Sequence, residues 1–329
     1  STQELADRFS HFFETKITDL RSKLDDKAQD LPDSDSEPHA NLSATWDEFE
    51  PASIDEMKEI FAKSKSTTCR LDPIPTTLLK NLADVILPFI MVIVNLSFDE
   101  GNFPNDLKEA LILPLLKKLG LDPDILKHFR PVSNLAFLSK LIERAGAVRL
   151  IDHMTMNHLH ELYQSSYKKF HSTETALVKI NSDILTALDD GKCVLLIMLD
   201  LSAAFDTIDH KVLISRLKND IGMGGKVLRW FKSYICGRKQ AVLVNGVRSR
   251  CWDLRYGVPQ GSVLGPILFL IYMAPLGKIL SSLNIGYHFY ADDSQIYVTF
   301  DKESDVALSK VHHVVEVIRQ WMTNNFLCL

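Results

Sequence analysis

The sequence predicts an α+β chain in which a layer of antiparallel sheet carries helices against one face. Three observations predict it. Apolar runs with strand character alternate irregularly with helical ones, without the regular strand–helix alternation of a doubly wound fold. Two β-prone runs, His288 to Ala291 and Ser294 to Phe300, flank the acidic pair Asp292-Asp293 and read as a hairpin. At 329 residues, 46% apolar and 24% charged, the chain has the balance of a globular protein and the length to bury a substantial core.

The elements follow in order. Leu5, Phe9, Phe12, Phe13, Ile17, Leu20 and Leu24 fall at helical spacing and define an amphipathic packing helix over residues 1–24. Residues 25–52 are acidic and carry Pro32, Pro38 and Pro51, the composition of a loose linker, and a single larger region is expected over 53–329. Ser53-Ile-Asp-Glu56 is a capping-box pattern that starts a helix running through Phe61. Leu138, Leu141, Ile142, Ala145 and Val148 mark another helix, and Ala176, Leu177, Ile180, Ile184 and Leu185 a third. Cys193 to Leu199 is a continuous apolar run bounded by Gly191 and Asp200, so a fully buried strand is expected. Ala241 to Val244, followed by Asn245-Gly246, reads as a strand entering a tight hairpin. Val263 to Met273 reads as a buried helix.

Net charge is −5, which argues against a polyanion as partner until its distribution is seen. Residues 1–60 hold 16 acids and 6 bases, net −10; the remainder holds 26 acids and 31 bases, net +5. The body of the chain is therefore mildly basic. Cys69, Cys193, Cys236, Cys251 and Cys328 show no C-x-x-C spacing and no nearby histidine pair, which supports neither a zinc site nor a disulfide framework. Val85 to Val94 is too short to span a bilayer and contains Pro88, so no membrane partner is expected. The chain starts at Ser1 without methionine and stops at Leu329 within an apolar pattern, and is read as an excerpt.

An Asp-Asp pair alone is usually a solvated turn. Asp292-Asp293 differs by lying between two apolar strands, and Asp200 likewise follows a strand. Carboxylates fixed by rigid strands suit hard divalent cations. Two such ions about 4 Å apart can activate an attacking hydroxyl and stabilise the leaving oxygen of a phosphoryl transfer.

Leu199-Asp-Leu-Ser-Ala-Ala-Phe-Asp206, Gly257-Val-Pro-Gln-Gly-Ser-Val-Leu-Gly-Pro266 and Tyr290-Ala-Asp-Asp293 resemble, in order and spacing, the three core motifs of reverse transcriptases. Asp72-Pro-Ile-Pro75, Leu115-Leu-Lys-Lys118, Phe129-Arg-Pro-Val132 and His171-Ser-Thr-Glu-Thr-Ala176 extend the similarity over roughly residues 60–329, and the wording is similar to the jockey-like group of non-LTR retrotransposons. The resemblance implies the fingers and palm of a right-hand polymerase, with fingers mainly over 60–190 together with some palm elements, palm mainly over 191–329, and no thumb.

It further implies that Asp200, Asp292 and Asp293 are catalytic and bind two Mg²⁺ ions, for which Mn²⁺ can substitute, with the carbonyl of Leu201 as an added ligand. Phe205 stands where the family places an aromatic gate against ribose; without the resemblance, core packing is the preferred reading of that phenylalanine. Gln260 matches the residue at the nascent base pair. Arg130 resembles the arginine that clamps the dNTP, with Lys117 or Lys118 beside it; a guanidinium fork suits a triphosphate.

Between residues 221 and 256 eight bases face one acid, Asp253, and aromatic residues interleave with them. That is either a template–primer track, with Lys232, Arg238 and Lys239 as contacts, or a basic face over a packed aromatic cluster; Tyr290, outside this stretch, is a further expected nucleic-acid contact. The implied partners are an RNA template, a DNA primer and dNTPs, and the implied location is cytoplasm and nucleus as a ribonucleoprotein. The rival reading is a decayed or co-opted copy that binds nucleic acid without synthesis; a group II intron-type maturase fits the upstream segments less well.

Overall fold

The computed structural model describes residues 1–29, 44–67, 69–302 and 307–329. Its elements run α1 (Thr2–Gln29), α2 (Ile54–Lys63), α3 (Thr76–Asn81), α4 (Ala83–Glu100), β1 (Glu109–Leu116), β2 (Phe129–Leu135), α5 (Phe137–Met156), α6 (Thr173–Asp189), β3 (Cys193–Leu199), α7 (Ala204–Thr207), α8 (His210–Asn219), α9 (Gly225–Ile235), β4 (Lys239–Val244), β5 (Val247–Arg248), β6 (Trp252–Asp253), α10 (Leu264–Ser282), β7 (Gly286–Tyr290), β8 (Asp293–Phe300) and α11 (Ala307–Asn324). The expected α+β class holds. The chain divides into two compact units, one of Ser1–Asp19, His39–Leu159 and His210–Gly265, the other of Leu20–Pro38, His160–Asp209 and Pro266–Leu329. Residues 210–265 group with the first unit.

In the first unit the sheet order is β2-β1-β4-β5, with β6 also paired to β4. β1 and β2 form an antiparallel hairpin, whereas β1 and β4 run parallel, so this sheet is mixed rather than purely antiparallel. Phe9 and Phe13 of α1 pack on Ile112, Val242 and Trp252, which makes the first half of α1 the packing helix its periodicity predicts. Ser53 caps α2, its side chain accepting from the Glu56 amide. Asn245 (φ 46°) and Gly246 (φ 84°) make the two-residue turn joining β4 to β5.

The segment expected to be a loose linker is described only at its two ends. Helix α1 runs on to Gln29, and residues 30–43 lie outside those described. From residue 44 the chain is anchored. The Trp46 amide donates to the Gly222 carbonyl at 2.8 Å, and the Gly224 amide donates to the Trp46 carbonyl at 3.0 Å. Trp46 stacks on His153 and Phe49 stacks on Phe98, with Trp230 and Phe231 edge-on or nearby. Two large aromatics in an acidic segment supply enough apolar area to hold it down.

In the second unit the sheet is antiparallel, order β3-β8-β7, as the hairpin pattern requires. Helix α6, started by a reciprocal Ser172–Thr175 capping box, lies against β7 and β3. The expectation for β3 fails. It is an edge strand, and Leu195, Leu196 and Met198 are 40%, 41% and 75% exposed. An unalternating apolar run fits a strand covered on both faces, but composition cannot tell a central from an edge position. Helix α10 is the one described helix long and apolar enough to cross a membrane. Leu268, Phe269, Tyr272, Met273, Leu276 and Leu280 are all buried within the protein, which makes it a core helix.

Candidate active site

Strand register brings the three aspartates to one end of the second unit's sheet. β8 pairs with both neighbours: Leu199 lies opposite Ser294, and Tyr290 opposite Asp293. Asp200 therefore follows the last residue of β3 at the level where β8 begins, Asp293 is the first residue of β8, and Asp292 occupies the turn. Asp200 and Asp293 are exposed and Asp292 is half-buried. Burial pushes the Asp292 carboxyl above the usual carboxylate range, and the charges of Asp293 and Asp200 push it the same way. Like charges this close raise the energy of the ionised site, and a dication relieves that repulsion.

Among the described residues no three His, Cys, Asp or Glu side chains converge into an ion-holding group. What is present is the donor chemistry for a hard cation: carboxylate oxygens on two adjacent strand ends, two of them open to solvent. Leu201, its side chain buried, can offer a cation only its backbone carbonyl, because a leucine side chain has no donor atom.

The turn itself is strained. Ala291 has φ 57°, a left-handed conformation that costs a non-glycine residue about 1–2 kcal/mol, and it is 6% exposed. Such outliers concentrate at functional sites. After Asp200 the chain is held by a bridge, the Ser202 amide donating to the Cys328 carbonyl at 2.8 Å, and then turns into α7 through Ala203 (φ 53°). Phe205 stacks on Phe269 of α10, with centroids 4.5 Å apart and planes at 25°. One face of its ring is thus committed to packing.

Gln260 and Arg130 belong to the first unit. The Ser133 amide of β2 donates to the Gln260 carbonyl at 2.7 Å, which ties the Gly257–Gly265 loop to the strand that carries Arg130. Gly261 makes this possible: its φ is 120°, and a Cβ there would stand 2.5 Å from the Ser133 carbonyl oxygen. The close approach that this glycine permits is to the protein's own backbone. Arg130 is exposed and opposite Leu115 in the β1–β2 hairpin; Lys117 and Lys118 are exposed just beyond β1, where the Lys117 amide donates to the His128 carbonyl.

The basic–aromatic stretch resolves largely into the packed alternative. Trp230, Phe231 and Tyr234 are fully buried, and Arg238 is 1% exposed, its guanidinium donating to the Tyr234 carbonyl and lying over the Tyr234 ring. Arg238 is therefore withdrawn from the nucleic-acid contacts: spacing marks it as basic but cannot show that it points inward. Lys226, Arg248 and Arg250 pair with Asp99, Glu109 and Glu14. Lys232 and Lys239 remain exposed cations, and Tyr290 is half-buried.

Two supporting residues escaped the sequence reading. Glu143, fully buried on α5, accepts from the Val263 and Leu264 amides at 2.7 and 3.2 Å and from the Tyr234 hydroxyl at 3.1 Å, capping α10. An acid between Ile142 and Ala145 on an apolar helix was the available signal, since a buried carboxylate needs partners. Gln164, 3% exposed, accepts from the Ala291 amide; no periodicity marks a contact 127 positions away.

Comparison with known proteins agrees with the geometry. Residues 116–329 match the family described as Reverse transcriptase (RNA-dependent DNA polymerase). The probable RNA-directed DNA polymerase from transposon BS of Drosophila melanogaster is 30% identical over 275 residues, which cover 83% of this chain and 30% of that protein. The RNA-directed DNA polymerase from mobile element jockey is 27% identical over 278 residues in Drosophila melanogaster, 82% of this chain and 30% of that one. Its Drosophila funebris counterpart is 29% identical over 228 residues, 69% and 25% respectively. The chain thus spans less than a third of the length of these curated relatives.

Proposed function

The chain belongs to the reverse transcriptase (RNA-dependent DNA polymerase) family, and on that premise we propose that it is the polymerase core of a non-LTR retrotransposon protein. Its reaction joins the primer 3′-hydroxyl to the α-phosphate of a dNTP on an RNA template and releases pyrophosphate. The observation that carries this reading is the arrival of Asp200, Asp292 and Asp293 together at one end of the β3-β8-β7 sheet.

Asp200 and Asp292 would hold two divalent cations, Mg²⁺ or Mn²⁺, with Asp293 and the Leu201 carbonyl beside them. When bound, the ions supply activation of the attacking hydroxyl and neutralisation of charge on the leaving oxygen. The rigid strand ends keep the carboxylates in place without reorganisation. Phe205, braced on Phe269, presents its remaining ring edge to the sugar and favours deoxyribose. Gln260 sits at the nascent pair on a loop tied to β2, and Arg130 with Lys118 binds the triphosphate. Lys232 and Lys239 contact the nucleic-acid backbone, and Tyr290 packs on the primer end. On this reading the second unit's sheet is the palm and the β1–β2 hairpin belongs to the fingers, and the protein works as a ribonucleoprotein in cytoplasm and nucleus.

The test is extension of a labelled DNA primer on an RNA template with dNTPs and Mg²⁺, run beside Asp292→Asn. Incorporation by the parent and none by the variant is the expected result. A folded parent that incorporates nothing with either Mg²⁺ or Mn²⁺ sinks the reading.

A further inference from the structure

The turn that carries Asp292 is held from outside its own hairpin. Residues Tyr163 to Ser166 run beside β7: the Phe289 amide donates to the Tyr163 carbonyl at 2.8 Å, and the Ser165 amide donates to the Phe289 carbonyl at 3.1 Å, with Gln164 bridged in parallel to Phe289. The Ser165 hydroxyl and the His288 ring nitrogen Nε2, 2.9 Å apart, add a side-chain link between the same two segments. This ladder delivers the Gln164 side chain to the tip of the hairpin. There its Oε1 accepts from two backbone amides, Ser166 at 2.8 Å and Ala291 at 3.3 Å. Both lone pairs of the amide oxygen are engaged.

Burial shows why this contact matters. Gln164 is 3% and Ala291 6% exposed, so water is a poor substitute for the acceptor. A buried amide left without a partner is costly, and Ala291 already carries a left-handed φ of 57°. Among the described residues, the side chain that accepts from that amide is Gln164. Tyr167, directly after this segment, is itself at φ 56°; burial raises its phenol, and the Asp292 charge pushes it the same way.

We propose that Gln164 is the positioning residue of the catalytic turn: its amide oxygen fixes the Ala291 peptide and thereby sets where the Asp292 carboxylate stands. The catalytic half of this statement rests on the polymerase reading, whereas the structural half does not.

The test uses the whole chain and two substitutions. Gln164→Leu keeps the volume and removes the acceptor; Gln164→Glu keeps an acceptor oxygen at the same reach. Hydrogen exchange at the Ala291 amide is measured alongside kcat and KM for dNTP in primer extension. In Gln164→Leu, exchange should accelerate about 10-fold or more as the turn opens locally. Its kcat should fall by about 10-fold to 100-fold, the scale of a small misplacement of reacting groups, with KM nearly unchanged. Gln164→Glu should restore the protection and most of kcat. If Gln164→Leu does not fold, Gln164→Asn, which withdraws the oxygen by one methylene, replaces it with the same expectations. Parental exchange and parental kcat in the acceptor-less variant overturn the proposal. Altered exchange in a chain that synthesises nothing supports the brace and counts against the polymerase reading instead.

Discussion

Two of the chain's hairpins turn over two central residues with positive φ at the first, and they meet that demand by opposite means. Between β4 and β5 the turn is Asn245-Gly246, at φ 46° and 84°, the residue types that occupy left-handed conformations most readily. Between β7 and β8 it is Ala291-Asp292, where an alanine is held at φ 57°. The first turn is stable by its own composition. The second is kept by its surroundings, through Gln164 and the strands beside it. The contrast teaches where this fold accepts local strain: at the turn that bears the acid, and not at the one that only reverses the chain.

The largest expected effect separates activity from stability at the strained turn. Asp292→Asn should reduce primer extension by roughly 10²- to 10³-fold or more, as when a charge-stabilising group is removed from other active sites. Its thermal stability should move the other way. Burial and two neighbouring carboxylates hold the folded Asp292 pKa above its unfolded value, so the folded state binds that proton more tightly and stability declines as pH rises through the raised value. A neutral amide abolishes the decline. Melting curves should therefore place the variant above the parent at pH 7, with the gap closing as pH falls; a variant that melts lower at pH 7 contradicts the assignment.

Next comes Glu143→Ala, which asks whether a buried polar brace in the first unit outweighs either turn. Stranding two backbone amides and a tyrosine hydroxyl should cost about 3 kcal/mol in denaturant unfolding. A smaller effect follows at the comfortable turn. Gly246→Ala places a Cβ 2.8 Å from the Arg70 guanidinium at φ 84°, and should cost about 1–2 kcal/mol while leaving the rate of synthesis alone. The smallest is Ala291→Gly, for which relief of strain and added unfolded-state freedom nearly cancel, leaving stability within about 1 kcal/mol of the parent. Its kcat should nonetheless drop, because the turn loses stiffness. Unchanged kcat there would erase the distinction between the two turns.

Local chemistry was readable wherever it is local. The Asn245-Gly246 hairpin, the Ser53 cap, the helices over 138–148 and 176–185, and the acids flanked by β7 and β8 all follow from patterns within a few residues. What the sequence could not supply depends on partners far along the chain. The edge position of β3 is decided by which strands pair, the inward aim of Arg238 by how α9 packs, and the anchoring of Trp46 by a loop near Gly222. Gln164 and Glu143 are the sharpest cases. Neither stands out from its neighbours along the chain, and the meaning of each lies at backbone amides 127 and about 120 positions away.

Strand β3 carries one more consequence, for the behaviour of many molecules rather than one. Cys193 to Leu199 contains seven apolar residues with no charge and no proline, and no described strand pairs with its outer edge. Native edges are usually blunted by a lysine, a proline or a bulge, and this one carries none within the strand. Short, uncharged, β-prone segments at an open edge are the seeds from which sheets continue between chains. Solubility, more than folding, will then set the concentration at which this chain can be handled.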